Sequence, residues 1–155
     1  LNPVIGSILP WIRTSGSGRR FNILYLGEQE SIVTIKIGAI IGKMIDSYTF
    51  GRIVVEGKSY TSDVVIFPTR VKDSWWRREG HQLCPEDIED VLEERPETLV
   101  VGTGYHGSMR VLPETLDALK ERGIEVVIKK TREACEIYNG ISRSKKVIAA
   151  LHLTC

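Results

Sequence analysis

Cysteine is scarce in this sequence, and the few present stand far apart at Cys84, Cys135 and Cys155. An odd number of scattered thiols excludes the disulfide framework of a small secreted domain and suits a reducing compartment, so a cytoplasmic location is expected. Histidine is equally thin. His81, His106 and His152 are distant in sequence, with neither H-E-x-x-H nor C-x-x-C pairs beside them, and no metal site is expected. There is no G-x-S-x-G elbow and no G-x-x-x-x-G-K-S/T loop, which argues against those hydrolase and nucleotide-hydrolase classes. The longest apolar run, Ile32 to Gly42, is 11 residues and contains Lys36, too short for a bilayer span. The first residues lack the basic start and cleavage pattern of a signal peptide. Net charge is +1, so no global field favours nucleic acid or an anionic membrane as a partner.

What is present is ordinary for a globular domain: 155 residues, 42% hydrophobic and 26% charged. That length buries a real core. Residues 1–43 differ from the remainder. They carry a net +3 and include Ser15-Gly16-Ser17-Gly18 before Arg19-Arg20, and their apolar patches, Phe21 to Leu26 and Ile32 to Ile41, lack clean alternation. This segment is read as an N-terminal extension, upstream sequence translated with the gene, ahead of a domain that starts at Met44 and runs to Cys155. The competing reading is a genuine N-terminal hairpin.

From Met44 the signals sharpen. Arg52 to Val55 and Lys58 to Tyr60 flank Glu56-Gly57, a two-residue hairpin turn. Val64 to Phe67 is apolar throughout and reads as a buried strand ended by Pro68. Thr69 to Leu83 is a polar connection. Pro85 to Arg95, Pro113 to Gly123 and the stretch from Thr131 past Tyr138 are helical, with Leu112, Leu116 and Leu119 on one face of the second and Thr131 as N-cap of the third. Thr98 to Val101, Ile124 to Ile128 and Val147 to Leu153 are strands. Alternation of this kind predicts an α/β fold: a single domain with a mostly parallel sheet, covering helices and a hairpin at its start.

Ligands in such sheets favour the carboxyl ends of the strands. If the strands are neighbours, Arg70, Arg110 and the turn Gly102-Thr103-Gly104-Tyr105-His106-Gly107 meet in one cleft. The turn matches G-x-G-x-x-G, but Pro113 starts the next helix too late to meet a pyrophosphate, and the next strand ends in Lys129-Lys130 where a ribose-binding acid belongs. A tight turn lining a cleft, or a small-anion site, fits better, and no cofactor is called for. Cys135 lies near a helix start between Glu133 and Glu136, and reads as a buried apolar thiol rather than a nucleophile. Trp75-Trp76-Arg77-Arg78 is the main interaction candidate, because tryptophan and arginine concentrate in interface hot spots. Its bland alternative is one tryptophan in the core and one over the sheet edge.

The domain resembles the Mth nine-three-eight domain family. The residues that carry the likeness are Gly51-Arg52-Ile53, Phe67-Pro68, Trp75, Pro85-Glu86-Asp87, Leu99 to Gly104, Leu119 to Gly123, Ala134 to Asn139 and Val147 to Leu151. The resemblance implies a three-layer α/β fold with a mixed sheet, in which one strand runs antiparallel, and no established enzymatic activity. It implies accessory roles, since relatives include a mitochondrial assembly factor of respiratory complex I, and it gives the chain an archaeal-type look. It also marks Gly102, Thr103, Gly104, Thr131, Tyr138 and Asn139 as signature positions.

Two functional readings follow. The first is a non-enzymatic interaction or assembly module with a protein partner or a second copy of itself, using the Trp75-Trp76 loop and the rim of the glycine cleft. The second is a small-anion or nucleotide-binding enzyme, with Arg70 and Arg110 holding the anion and the Gly102–Gly107 backbone donating hydrogen bonds. No general base can be assigned to the second.

Overall fold

The computed structural model describes residues 42–155. The expectations for residues 1–43, including the two apolar patches, lie outside the described residues, except for Gly42 and Lys43.

A meander opens the domain: β1 (Ile45–Thr49), β2 (Arg52–Val55) and β3 (Lys58–Tyr60), paired antiparallel in that order. Glu56 and Gly57 both have positive φ, 49° and 83°, as a two-residue hairpin turn with the twist of its strands requires. β1 is an addition to the expected hairpin, joined to β2 through Gly51.

A five-stranded sheet forms the centre. Its order is β5 (Val71–Lys72), β4 (Val64–Ile66), β10 (Val147–Leu151), β7 (Thr98–Gly102) and β9 (Glu125–Lys129). β6 (Gln82–Leu83) and β8 (Arg110–Val111) make a short parallel pair beside it. A 3-10 turn, Pro85–Ile88, leads into α1 (Glu89–Glu94); α2 spans Pro113–Glu121 and α3 Thr131–Ile141. The expected helix, strand, helix, strand, helix, strand order is therefore present.

β10, β7 and β9 are mutually parallel, whereas β4 is antiparallel to β10 and β5 is antiparallel to β4. β4 is thus the strand that departs from the common direction. Register makes this concrete: Val64, Leu151, Gly102 and Lys129 stand in one row. The start of β4 meets the ends of its neighbours.

Strand alternation divides the core. Val64, Ile66, Val100, Ala149 and Leu151 face α3 and the meander, where Ala134, Tyr138, Ile53 and Val55 are buried. Val65, Leu99, Val101, Ile148 and Ala150 face α1 and α2, with Phe67, Val91 and Leu119. Burying each such side chain fully stabilises the fold by about 1.5–3 kcal/mol. Three layers result. On α2 the buried positions are Thr115 and Leu119, while Leu116 is exposed. The expected Leu112–Leu116–Leu119 face is corrected by one position, because the Thr115 hydroxyl donates to the Leu83 carbonyl at 2.6 Å and turns that side inward.

Candidate functional site

The reversal of β4 rearranges the expected cleft. Pro68-Thr69-Arg70 follows the end of β4 and so lies at the edge opposite the glycine turn. Arg70 there pairs with Glu94 at 3.0 Å and stacks on Phe67 at 3.7 Å from the ring centroid. It does not join Gly102–Gly107. The expectation failed because a three-residue strand that is apolar on both faces carries no sign of its direction. Arg110 stays near the turn on β8, exposed, its backbone N–H donating to the His81 carbonyl.

The carboxyl edge is filled by the chain itself. Gly102 ends β7 under Thr131, so close that a Cβ there would stand 2.8 Å from both Thr131 Oγ1 and Leu151 Cδ2. Gly104 has φ of 112°, and a Cβ there would lie 2.5 Å from the Thr154 carbonyl oxygen. Thr103 N–H and Oγ1 both donate to the Lys129 carbonyl. Gly104 N–H donates to Thr131 Oγ1, and the N–H groups of Tyr105 and His106 donate to the carbonyls of Thr154 and Cys155. An anion would find these four backbone N–H groups engaged. The turn grips residues 152–155 instead.

Thr131 is not the N-cap of α3. Lys130 holds that place, and Thr131 is the first helical residue. Its buried hydroxyl donates to the His152 carbonyl at 2.6 Å while accepting from Gly104 N–H at 2.8 Å, so one side chain ties helix, turn and β10 together. The other family-signature positions are also structural. Asn139 accepts from Ile45 N–H and donates to Ile45 C=O, closing α3 onto β1. Tyr138 is fully buried, and its phenol is pushed well above the ordinary tyrosine range by that burial. Cys135 is buried as expected, and burial pushes its thiol up to about 12. A thiol held protonated is a poor nucleophile.

The two tryptophans separate. Trp75 is 4% exposed, donates from Nε1 to the Asp87 carbonyl and carries Arg77 over its ring at 4.7 Å. It belongs to the core, a correction to its place among partner-binding residues. Trp76 is 80% exposed. Phe50 and Tyr105 are also exposed and meet edge to face at 5.6 Å. Backbone hydrogen bonds tie the segment carrying each of the three to the carboxyl edge. Gly51 N–H donates to Leu153, Tyr105 N–H to Thr154, and Trp75 N–H to Asp63, just before β4. Beside Tyr105, a groove lined by Lys130, Arg132, Glu133 and Glu136 gives the edge a mixed-charge rim.

Sequence reasoning missed the polar lock beneath this edge. Asp63 Oδ2 accepts from His152 Nδ1 at 2.8 Å, and Oδ1 accepts from Leu153 N–H at 2.8 Å. Arg77 Nη1 lies 2.9 Å from Oδ2 as an ion pair, but off the line of an N–H bond, while Nη2 donates to Gly80 C=O. Burial alone would raise the Asp63 carboxyl. The hydrogen bonds from His152 and Leu153 and the charges of His152 and Arg77 outweigh it and hold the group below the usual carboxylate range. His152 Nε2, also buried, has no hydrogen-bond partner among the described residues. No local motif links positions 63, 77 and 152, so only the fold reveals them.

The model of the protein family of unknown function DUF498/DUF598 matches residues 45–152. Curated relatives named NADH dehydrogenase (ubiquinone) 1 alpha subcomplex assembly factor 3 include the mouse protein, 32% identical over 109 residues, which are 68% of this chain and 57% of that one. The bovine protein of that name is 29% identical over 147 residues, 93% of this chain and 78% of that one. The chain thus spans little more than half the length of the mouse relative. Among solved structures, a conserved hypothetical protein from Pyrococcus horikoshii is 32% identical with a TM-score of 0.62, covering 72% of this chain and 98% of that one. MT938 is 26% identical with a TM-score of 0.59, covering 74% of this chain and all (100%) of that one. At 26% identity, MT938 and this chain are similar but distinct proteins.

Proposed function

The chain belongs to the DUF498/DUF598 family of unknown function, and from that premise we propose that it is a non-enzymatic protein-interaction module, an accessory in the assembly of a larger complex. The observation that carries this reading is the set of exposed aromatics, Phe50, Trp76 and Tyr105, presented by three separate loops at one sheet edge. Aromatic side chains at a rigid edge, rimmed by charge, have the make-up of an interface hot spot. The assembly-factor name of the mouse and bovine relatives supports a protein client. The anion-site alternative is weakened by the engaged N–H groups of the glycine turn and by the position of Arg70.

Trp76→Ala and Trp75→Ala test the reading together. Trp76→Ala leaves stability within about 1 kcal/mol, as exposed changes do, and removes capture of the partner in a cross-linking pull-down. Trp75→Ala costs about 3–5 kcal/mol by opening a core cavity. Capture by Trp76→Ala equal to wild type sinks the proposal. Self-association, followed by sedimentation of the same variant, identifies a second copy of the chain as the partner if Trp76→Ala dissolves it.

A cytoplasmic location fits the three free thiols. No helix among the described residues is long and apolar enough to cross a membrane. Residues 1–43 are proposed as an extension outside the family fold, which the start of the family match at residue 45 supports. The bovine match covers 93% of this chain and so runs into that segment, which counts against its being foreign upstream sequence. Intact mass of the native protein decides: a mass corresponding to all 155 residues makes the segment part of the protein.

A further inference from the structure

We propose that His81, His152 and Cys155 form a binding site for a zinc-class transition metal ion. A ring nitrogen of each histidine and the Cys155 sulfur lie within 4.8 Å of one another. The two rings stand edge to face, centroids 5.7 Å apart. Imidazole nitrogen and thiolate sulfur are both zinc ligands, and three protein donors leave a fourth position open.

The state of His152 points to a ligand. It is 6% exposed, and its Nδ1–H is committed to Asp63. Asp63 Oδ2 accepts only, so Nδ1 carries a proton even with the Arg77 Nη2 donor 3.1 Å away, and Nε2 takes the metal by releasing any proton it holds. That nitrogen is buried and has no hydrogen-bond partner among the described residues. A buried polar nitrogen without a partner costs stability that a metal bond would offset. A carboxylate on the far nitrogen is also the arrangement that orients a ligating histidine. The charge balance permits a dication: Asp63 neutralises Arg77 at 2.9 Å, and Cys155 becomes a thiolate by releasing its proton to water.

Geometry asks for a small closure. A tetrahedral zinc ion with bonds of about 2.0–2.3 Å holds its ligand atoms about 3.4–3.6 Å apart. His81 is exposed and Cys155 half-buried, so both have room to swing toward the fixed His152. The ion would join the loop that follows Trp76 to the segment gripped by the glycine turn. The site stands independently of the proposed interaction role.

The test is zinc titration of the full chain after chelator dialysis, by calorimetry, with cobalt as a spectroscopic substitute. One zinc per chain and a thiolate-to-cobalt charge-transfer band are expected. His81→Ala and Cys155→Ser, both at accessible positions that leave the core intact, each weaken zinc by at least about tenfold, the lower bound seen when merely a supporting partner of a ligand is lost. Cys155→Ser also abolishes the band. Substoichiometric binding, or affinity unchanged in either variant, overturns the proposal.

Discussion

Thr131→Val tests whether the signature positions at the carboxyl edge are structural. The substitution keeps the shape of the side chain and replaces the hydroxyl with a methyl group. Thr131 is 0% exposed, so water cannot take the place of the lost bonds. Two partners are orphaned: Gly104 N–H, now 2.8 Å from the oxygen, and His152 C=O, now 2.6 Å from it. An unsatisfied buried group costs about 1–3 kcal/mol, so the pair costs about 2–6 kcal/mol. For a domain of this size that lowers the melting temperature by about 8–24 °C. Thr131→Ser keeps the hydroxyl and loses one methyl group, for about 1 kcal/mol. Urea unfolding followed by tryptophan fluorescence reads both, since Trp75 is buried in the core. Valine within about 0.5 kcal/mol of wild type, or serine falling as far as valine, refutes the claim that this hydroxyl ties helix, turn and strand together.

Gly104→Ala is severely destabilising, because its Cβ would sit 2.5 Å from the Thr154 carbonyl at a φ of 112°, whereas Gly57→Ala, with open space around it, costs only about 1 kcal/mol of backbone strain; equal unfolding midpoints contradict the close packing of the turn. Asp63 has a folded-state carboxyl held below its unfolded value of about 3.9, so its stabilisation is full above that value and is lost as pH falls through the folded value. Asp63→Asn therefore flattens the stability-versus-pH curve on the acid side; a variant as acid-sensitive as wild type removes Asp63 as the cause. Cys135, with its thiol pushed up to about 12, resists alkylation in the native chain at about pH 8, while half-buried Cys155 reacts after chelation. Mass mapping of the label checks this, and native labelling of Cys135 contradicts its burial.

The legible parts of the sequence were the local ones. Glu56-Gly57 fixed a hairpin because few residues accept positive φ, and both do so here. Pro113 began a helix, and Gly123, with φ of 71°, followed its end. Continuous apolar runs marked strands covered on both faces. The glycine turn was recognised as the element at the carboxyl edge, and its mismatch to a nucleotide loop was readable from Pro113 and Lys129-Lys130. What the turn holds was not readable, because its partners, Thr154 and Cys155, are distant in sequence.

By itself, then, the sequence determined the main helices and strands, the Glu56-Gly57 turn and which positions are apolar, because those depend on neighbouring residues, whereas the short strands β1, β5, β6 and β8 form only where the fold supplies a partner. Tertiary structure decided the direction of β4, since Val64–Ile66 pairs with β10 equally well either way until the rest of the chain is placed. That one direction sent Arg70 to the far edge and left the carboxyl edge to Asp63, Arg77 and His152. It also decided which tryptophan faces water and that His81 meets His152. Such encounters are set by the packing of whole layers, and no spacing along the chain encodes them.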